Sequence, residues 1–216
     1  QLIRLAVRED LDRGHDWTTA ALVDREIRGV AHVVARQPGI VAGLPAAALV
    51  LTEMQADVGW NPHLSDGDRM TAGTTIATLQ GSARDMLTCE RPLLNMLGRL
   101  CGIATLTDEY VKQIVGSNAR IYDTRKTTPG WRRLEKYAVR CGGGNNHRTG
   151  LFDAVLIKDN HLAVTDAENQ SLPAAVTRAR DFLANSPIAD SEADMLVEVE
   201  VDSLDQLRQV LPASPD

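Results

Sequence analysis

Residues 152–160 read FDAVLIKDN, and residues 195–203 read MLVEVEVDS. The first is an apolar run closed by Lys158, Asp159 and Asn160; the second alternates valine with carboxylate. Both have the β-branched content and polar boundaries of short strands. Residues 171–184 between them have the composition of a helix, and LDQLRQVL (204–211) begins another. Upstream, RIYDTRKT (120–127) reads as a third strand, followed by a TPG turn, the helix WRRLEKYAVR (131–140) and the loop CGGGNNHRTG (141–150). Strands alternating with helices indicate βα units and a parallel sheet, so the fold class is α/β.

The N-terminal half has a different rhythm. LIRLAVREDL (2–11) is an amphipathic helix, GVAHVVAR (29–36) a strand, and LPAAALVLTEM (44–54) a helix with Pro45 in its first turn. TTIATLQG (74–81) is a strand, and residues 86–115 form a long helix in which Gly98 and Gly102 would admit a close neighbour. The stretch DGDRMTAGTTIATLQG (66–81) echoes a biotinyl or lipoyl half-barrel, but residues 37–90 contain no lysine to modify, so it reads as turn plus strand in a scaffold. The boundary falls near residue 116, giving a mixed α/β domain over 1–115 and the first part of an α/β barrel over 116–216. A closed eight-stranded barrel takes about 200 residues or more. Only three βα strands occur before Asp216, so the barrel is expected to be open and incomplete.

Bulk composition narrows the function. The chain has 216 residues, 44% hydrophobic and 24% charged, as in globular domains. Aromatics at 4% argue against stacking platforms for single-stranded nucleic acid, and a net charge of −6 argues against a nucleic-acid or membrane footprint. No apolar run reaches the roughly 18 residues of a membrane span, and no stretch has the basic start and apolar centre of a signal peptide. Cys89, Cys101 and Cys141 form neither a disulfide framework nor a zinc pattern, and no metal-ligating set is expected. A cytoplasmic protein with reduced thiols is the expectation.

Charge is nevertheless concentrated. Between Arg120 and Arg148 stand eight basic residues against Asp123 and Glu135, a local +6 in a chain whose remainder carries −12. Arg132, Arg133 and Lys136 fit a solvated helix face; the cations beside the turns do not. Ligands of parallel α/β sheets sit at the C-terminal ends of strands, and these strands end in Thr124-Arg125-Lys126, in Lys158 and in Glu200 and Asp202. Alternation puts Thr124 and Lys126 on one side and Arg125 on the other, and puts Glu198, Glu200 and Asp202 opposite Val197, Val199 and Val201. Inward carboxylates need cations, for which Lys126 and Lys158 are candidates. The glycine loop is expected to offer N–H groups to an anion, with His147 and Arg148 at its edge. Arg125 and Arg148 can each clamp a carboxylate or phosphate through two hydrogen bonds. Together these residues predict a site for a small polyanion.

Four stretches, ERPLLNMLGRLCGIAT (90–105), DTRKTTPGWRRLEKYAV (123–139), GGGNNHRTGLFDAVLIKDNH (142–161) and EVEVDSL (198–204), resemble the quinolinate phosphoribosyltransferase family, also called nicotinate-nucleotide pyrophosphorylases. Several long motifs in order are far more specific than a lone glycine motif. The resemblance implies an N-terminal α/β sandwich, an open barrel, and a homodimer in which Arg91 reaches a quinolinate carboxylate in the partner's site. It implies a pentosyltransferase that joins quinolinate to phosphoribosyl pyrophosphate, with Mg2+ accompanying the donor and no organic cofactor. Thr124, Arg125, Lys126, His147, Arg148, Lys158 and Glu200 would line the pocket, with Lys126, Lys158 and Glu200 catalytic. Of Glu198 and Glu200, Glu200 is favoured as the matching carboxylate. The family usually has serine at Cys101 and lacks His15, and it continues past Asp216 to hold the donor's 5′-phosphate. Alternatives are a paralogue associated with molybdate transport and a polyanion-binding fragment without turnover.

Overall fold

The computed structural model describes residues 1–12, 14–165, 171–186 and 195–216. The chain forms two compact units, Gln1–His147 and Arg148–Asp216.

In the first unit, helices α1 (Leu2–Leu11) and α2 (Trp17–Leu22) precede strand β1 (Arg28–Val34). Then come β2 (Gly39–Ile40), α3 (Leu44–Glu53), β3 (Val58–Pro62), β4 (Arg69–Met70) and β5 (Thr75–Ser82). β1, β5 and β3 form an antiparallel sheet in that order, while β2 pairs with β4 in a small ribbon. Ala77 and Leu79, two apart on β5, and Ile76 at the irregularity in its pairing with β1 enter a core built with Val33, Val41, Val50, Leu93 and Met96.

Helix α4 (Ala83–Gln113) is the spine of this unit. Ser82 caps it by accepting the Asp85 N–H at 3.3 Å, satisfying one of the free amides of the first turn. Its buried side, Cys89, Leu93, Met96, Leu97, Leu100 and Ala104, recurs at three- and four-residue spacing. Gly98 and Gly102, expected to receive a close neighbour, lie on the exposed side, where an added methyl group would meet nothing within 4 Å. Helix α5 (Arg132–Cys141) packs on α4, with Ala138 fully buried beside Leu100 and Ala104.

The second unit contains β6 (Val155–Ile157), α6 (Asp159–Ala163), α7 (Leu172–Ala184), β7 (Val197–Val199) and α8 (Leu204–Val210). β6 and β7 are parallel, as βα succession requires. Ile157, Val176, Leu183, Val197 and Val210 form their core, and the valines of 197–201 are the buried side of the alternation.

The fold class is therefore mixed α/β. RIYDTRKT departs from expectation: it forms no strand, only a single parallel bridge between Tyr122 and Asn145. Asp123 N–H donates to Asn145 carbonyl at 3.1 Å and Asn145 N–H to Ile121 carbonyl at 2.8 Å. Beyond that point the chain turns, with Thr127 N–H donating to Arg125 carbonyl at 2.9 Å. The bridge cannot propagate once its backbone curls on itself.

Candidate active site

The glycine loop is explained by helix geometry. Gly143 has φ +85°. Its N–H donates to Arg140 carbonyl, while Gly144 N–H reaches back to Val139 carbonyl, both at 3.0 Å. That pair of bonds is a Schellman stop for α5, and the left-handed residue between helix and loop favours glycine. Gly142 N–H is likewise committed, to Ala138 carbonyl at 3.0 Å. The expectation that these amides await an anion is thus corrected: all three serve the helix end. The close approach the glycines permit is to α4. A methyl on Gly142 would lie 2.2 Å from Ala104 carbonyl oxygen, and one on Gly144 2.8 Å from Thr107 Cγ2.

Having stopped there, the chain runs directly into Asn145, Asn146 and His147. Asp123 gathers this run: its carboxylate accepts from His147 N–H at 2.9 Å and from Asn146 Nδ2 at 2.6 Å. Lys136 Nζ pairs with the same carboxylate. Lys136 was expected on a solvated helix face; it is 3% exposed. The next three residues are Thr124, Arg125 and Lys126. Thr124 and Lys126 are exposed and Arg125 is half-buried, the alternation anticipated for them. Thr124 Oγ1 accepts the Lys126 N–H at 3.1 Å, which steadies the bend. Arg125 Nε is buried and, among the described residues, has no hydrogen-bond partner. A buried N–H without an acceptor costs about 1–3 kcal/mol, which a ligand oxygen would recover.

In the second unit, strand register does the positioning. Leu156 lies beside Glu198 and Ile157 beside Val199, so one further step sets Lys158 beside Glu200. Glu200 N–H donates to Ile157 carbonyl at 2.9 Å, and Lys158 Nζ pairs with the Glu200 carboxylate. Their side chains are 37% and 50% exposed. Such pairs contribute about 0–1 kcal/mol, so both groups can exchange partners with a ligand at little cost. Arg148 Nη1 donates to Ala154 carbonyl at 3.2 Å, which ties the guanidinium to the start of β6. Asp153 braces the intervening turn. Burial pushes its carboxyl upward, but bonds from Thr149 and Gly150 outweigh that and hold it below its ordinary value.

Two cationic groups therefore stand in the described structure: Thr124, Arg125, Lys126 and His147 in the first unit, Arg148, Lys158 and Glu200 in the second. The family models match both halves of the chain: quinolinate phosphoribosyl transferase N-terminal domain over residues 16–101, C-terminal domain over 103–216. The chain belongs to the quinolinate phosphoribosyltransferase family. It is 43% identical over 216 residues to the nicotinate-nucleotide pyrophosphorylase (carboxylating) of Mycobacterium leprae, covering 99% of this chain and 72% of that one. A probable enzyme of the same name from Methanothermobacter thermautotrophicus is 39% identical over 218 residues, covering 100% of this chain and 72% of its own length. Among solved structures, NadC from Streptococcus pyogenes superposes with a TM-score of 0.87 at 40% identity, covering 100% of this chain and 72% of that one.

A further cluster of this quinolinate phosphoribosyltransferase-family chain braces the first-unit group, and Arg91 stands apart from it. Arg91 projects from α4 and is exposed, one residue before the internal Pro92. Arg99 pairs with Glu135, donates to Thr128 Oγ1 at 2.5 Å and stacks 5.1 Å from the Trp131 ring centroid. Glu135 is subject to burial that would raise its pKa, yet the bonds from Arg99 and Thr128 together hold it below its ordinary value. This cluster fixes the TTPGW turn immediately after the Thr124–Lys126 group. Glu135, four residues after Trp131 and among basic neighbours, was the one signal for it in the sequence.

Proposed function

We propose that this protein transfers the phosphoribosyl group of phosphoribosyl pyrophosphate to quinolinate, releasing pyrophosphate and carbon dioxide and giving nicotinate mononucleotide for NAD biosynthesis. The match of both family domains in order carries this reading, and Arg91, Arg125, Lys126, Arg148 and Lys158, which the resemblance assigns to the site, all lie within the matched residues.

The chemistry assigns each group a task. Quinolinate presents two adjacent carboxylates, for which Arg125 and Arg148 are bidentate donors and His147 a further polar contact. Arg125 Nε, buried without an acceptor, supports that role. As the pyridine nitrogen bonds to the ribose anomeric carbon, the bond to pyrophosphate breaks and the oxygen leaves with its electron pair. Positive charge grows on the sugar meanwhile, as in glycosyl transfer. Glu200 offsets that charge, while Lys126 and Lys158 stabilise the departing pyrophosphate. The nitrogen, now cationic, stabilises the electron pair left on the adjacent ring carbon when carbon dioxide departs, and that carbon then takes a proton.

Magnesium belongs to this proposal as part of the donor. Among the described residues no three His, Cys, Asp or Glu side chains converge. A magnesium ion here would be held chiefly by the donor's own phosphate oxygens, the arrangement magnesium favours, since it keeps several non-protein ligands. The homodimer, with Arg91 entering the partner's site, is also proposed; the exposure of Arg91 on α4 supports it. A cytoplasmic setting is supported by the three free cysteines, and no helix among the described residues is long and apolar enough to cross a membrane.

The test is turnover. Incubation with quinolinate and magnesium phosphoribosyl pyrophosphate should yield nicotinate mononucleotide and carbon dioxide in equal amounts. Turnover of nicotinate in place of quinolinate, or no binding of quinolinate at millimolar concentration, would sink the substrate assignment.

A further inference from the structure

The Asp123–Lys136 pair takes no part in the chemistry above, yet it is the most enclosed charge pair described, with side-chain exposures of 7% and 4%. Such a pair is a poor device for stability, since apolar residues of similar volume often do as well or better. What distinguishes it is where its hydrogen bonds go. Asp123 Oδ1 accepts from both Lys136 Nζ and His147 N–H, and Oδ2 accepts from Asn146 Nδ2. Lys136 Nζ also donates to His147 carbonyl at 3.2 Å, and Lys136 carbonyl accepts from Asn146 Nδ2 at 2.8 Å. The acid thus holds the N–H of His147 while the base holds its C=O.

We propose that Asp123 and Lys136 are positioning residues for quinolinate recognition. Peptide groups are planar, so fixing His147 N–H and C=O fixes the two peptide planes that flank its side chain, the second of which leads into Arg148. On its other side Asp123 is covalently followed by Thr124, Arg125 and Lys126. One carboxylate therefore sets the register between the segment carrying Arg125 and the segment carrying His147. The ion pair suits this task because opposite charges satisfy a donor and an acceptor of one residue at once. An apolar pair would fill the space and leave both groups free to rotate. This role rests on the proposed reaction, and it concerns the carboxylate-binding end of the site rather than the donor.

The test compares Lys136→Met, Lys136→Arg and Asp123→Asn with the parent chain. A misplacement near 1 Å costs up to about 100-fold, so Lys136→Met should raise the KM for quinolinate about 10- to 100-fold. The KM for phosphoribosyl pyrophosphate should change less than about threefold, because the lost contact acts on one substrate. Lys136→Arg, which keeps the charge, should restore at least part of the affinity. Should Lys136→Met fail to fold, Asp123→Asn keeps an acceptor for His147 N–H and should show the same selective rise. A lower thermal midpoint with an unchanged quinolinate KM, or an equal loss against both substrates, would overturn the proposal by making the pair structural only. A parent chain that folds but turns over no quinolinate would instead refute the reaction. The pair is then judged by amide exchange at residues 145–148: faster exchange in the variant, with that of α5 unchanged, supports positioning, and unchanged exchange ends it.

Discussion

Replacing Gly142 or Gly143 by alanine separates two reasons for a glycine. At Gly142 the backbone is ordinary, with φ −80°, so alanine costs nothing in torsion. Its Cβ, however, would lie 2.2 Å from Ala104 carbonyl oxygen and 2.7 Å from Thr107 Cβ. The obstructing oxygen belongs to the backbone of α4 and cannot rotate away. Overpacking of this kind costs about 1–3 kcal/mol, and a backbone clash belongs at the top of that range. At Gly143 the situation is reversed. The nearest atom, Val111 Cγ1, stands at 3.6 Å, an ordinary contact, but φ is +85°. A single left-handed alanine costs about 1–2 kcal/mol. Gly142→Ala should therefore be the more damaging by roughly 1–2 kcal/mol, a factor of about 5–30 in the folding equilibrium. With a urea dependence of about 1–3 kcal/mol per molar, that separates the midpoints by roughly 0.3–2 M. Trp17, Trp60 and Trp131 all lie in the first unit, so tryptophan fluorescence follows the unfolding of the unit that contains the loop. Equal midpoints, or a greater loss for Gly143→Ala, would mean that contact with α4 is not what position 142 requires.

Three further outcomes follow from the charges and thiols. Lys158→Ala should lower kcat about 100-fold, as removal of one charge-stabilising donor does, while leaving the thermal midpoint nearly unchanged because its pair with Glu200 is half-exposed; a large fall in the midpoint would recast the pair as structural. Asp16, Asp108, Asp153 and Glu135 are all held below their ordinary values of 3.8 and 4.5, so the unfolded chain binds protons more readily. Their stabilisation should be complete above about pH 5 and lost as pH falls through that range, and Arg99→Met, which removes one of the bonds on Glu135, should flatten the loss in melts between pH 6 and 3. Burial pushes the Cys89 thiol up to about 11 from an ordinary 9.0. Stability should therefore decline between about pH 9 and 11, and Cys89 should resist alkylation in the folded chain at neutral pH; rapid labelling under native conditions would contradict its burial.

Long periodic elements were legible because one kind of signal decides them. The apolar recurrence from Cys89 to Ala104 specifies α4, and β1 and β5 declare themselves by β-branched content. The parallel pairing of Val155–Ile157 with Val197–Val199 follows from βα succession, and it brings Lys158 beside Glu200 by register alone. What sequence pattern could not reveal was side chains doing the work of backbone. RIYDTRKT has strand composition, yet Asp123 replaces the ladder with bonds to Asn146 and His147. Nor did periodicity find Lys136. The apolar seam of α5, Leu134, Ala138 and Cys141, packs toward Ile40, Leu100 and Ala104, and Lys136 lies about opposite it on the helix. Amphipathic reasoning sends such a residue to water. Only Asp123, one of two acids in a segment of eight basic residues, hinted that a second face of α5 was covered.

The Asp123–Lys136 and Glu200–Lys158 pairs show why one residue type serves two ends. Asp123 and Lys136 are almost wholly enclosed, and both carboxylate oxygens already accept hydrogen bonds. Exchanging either partner for a ligand would strand the other charge in a dry site, which costs about 3–5 kcal/mol. That pair is suited to holding geometry and unsuited to chemistry. Lys158 and Glu200 face solvent and lose almost nothing by parting. Such a pair is suited to meeting a pyrophosphate and a charged sugar whose demands change during the reaction. Transposing the arrangements would fail twice: an exposed pair could not fix His147, and an enclosed one could not release its charges to a substrate. The division follows from solvent access rather than residue identity.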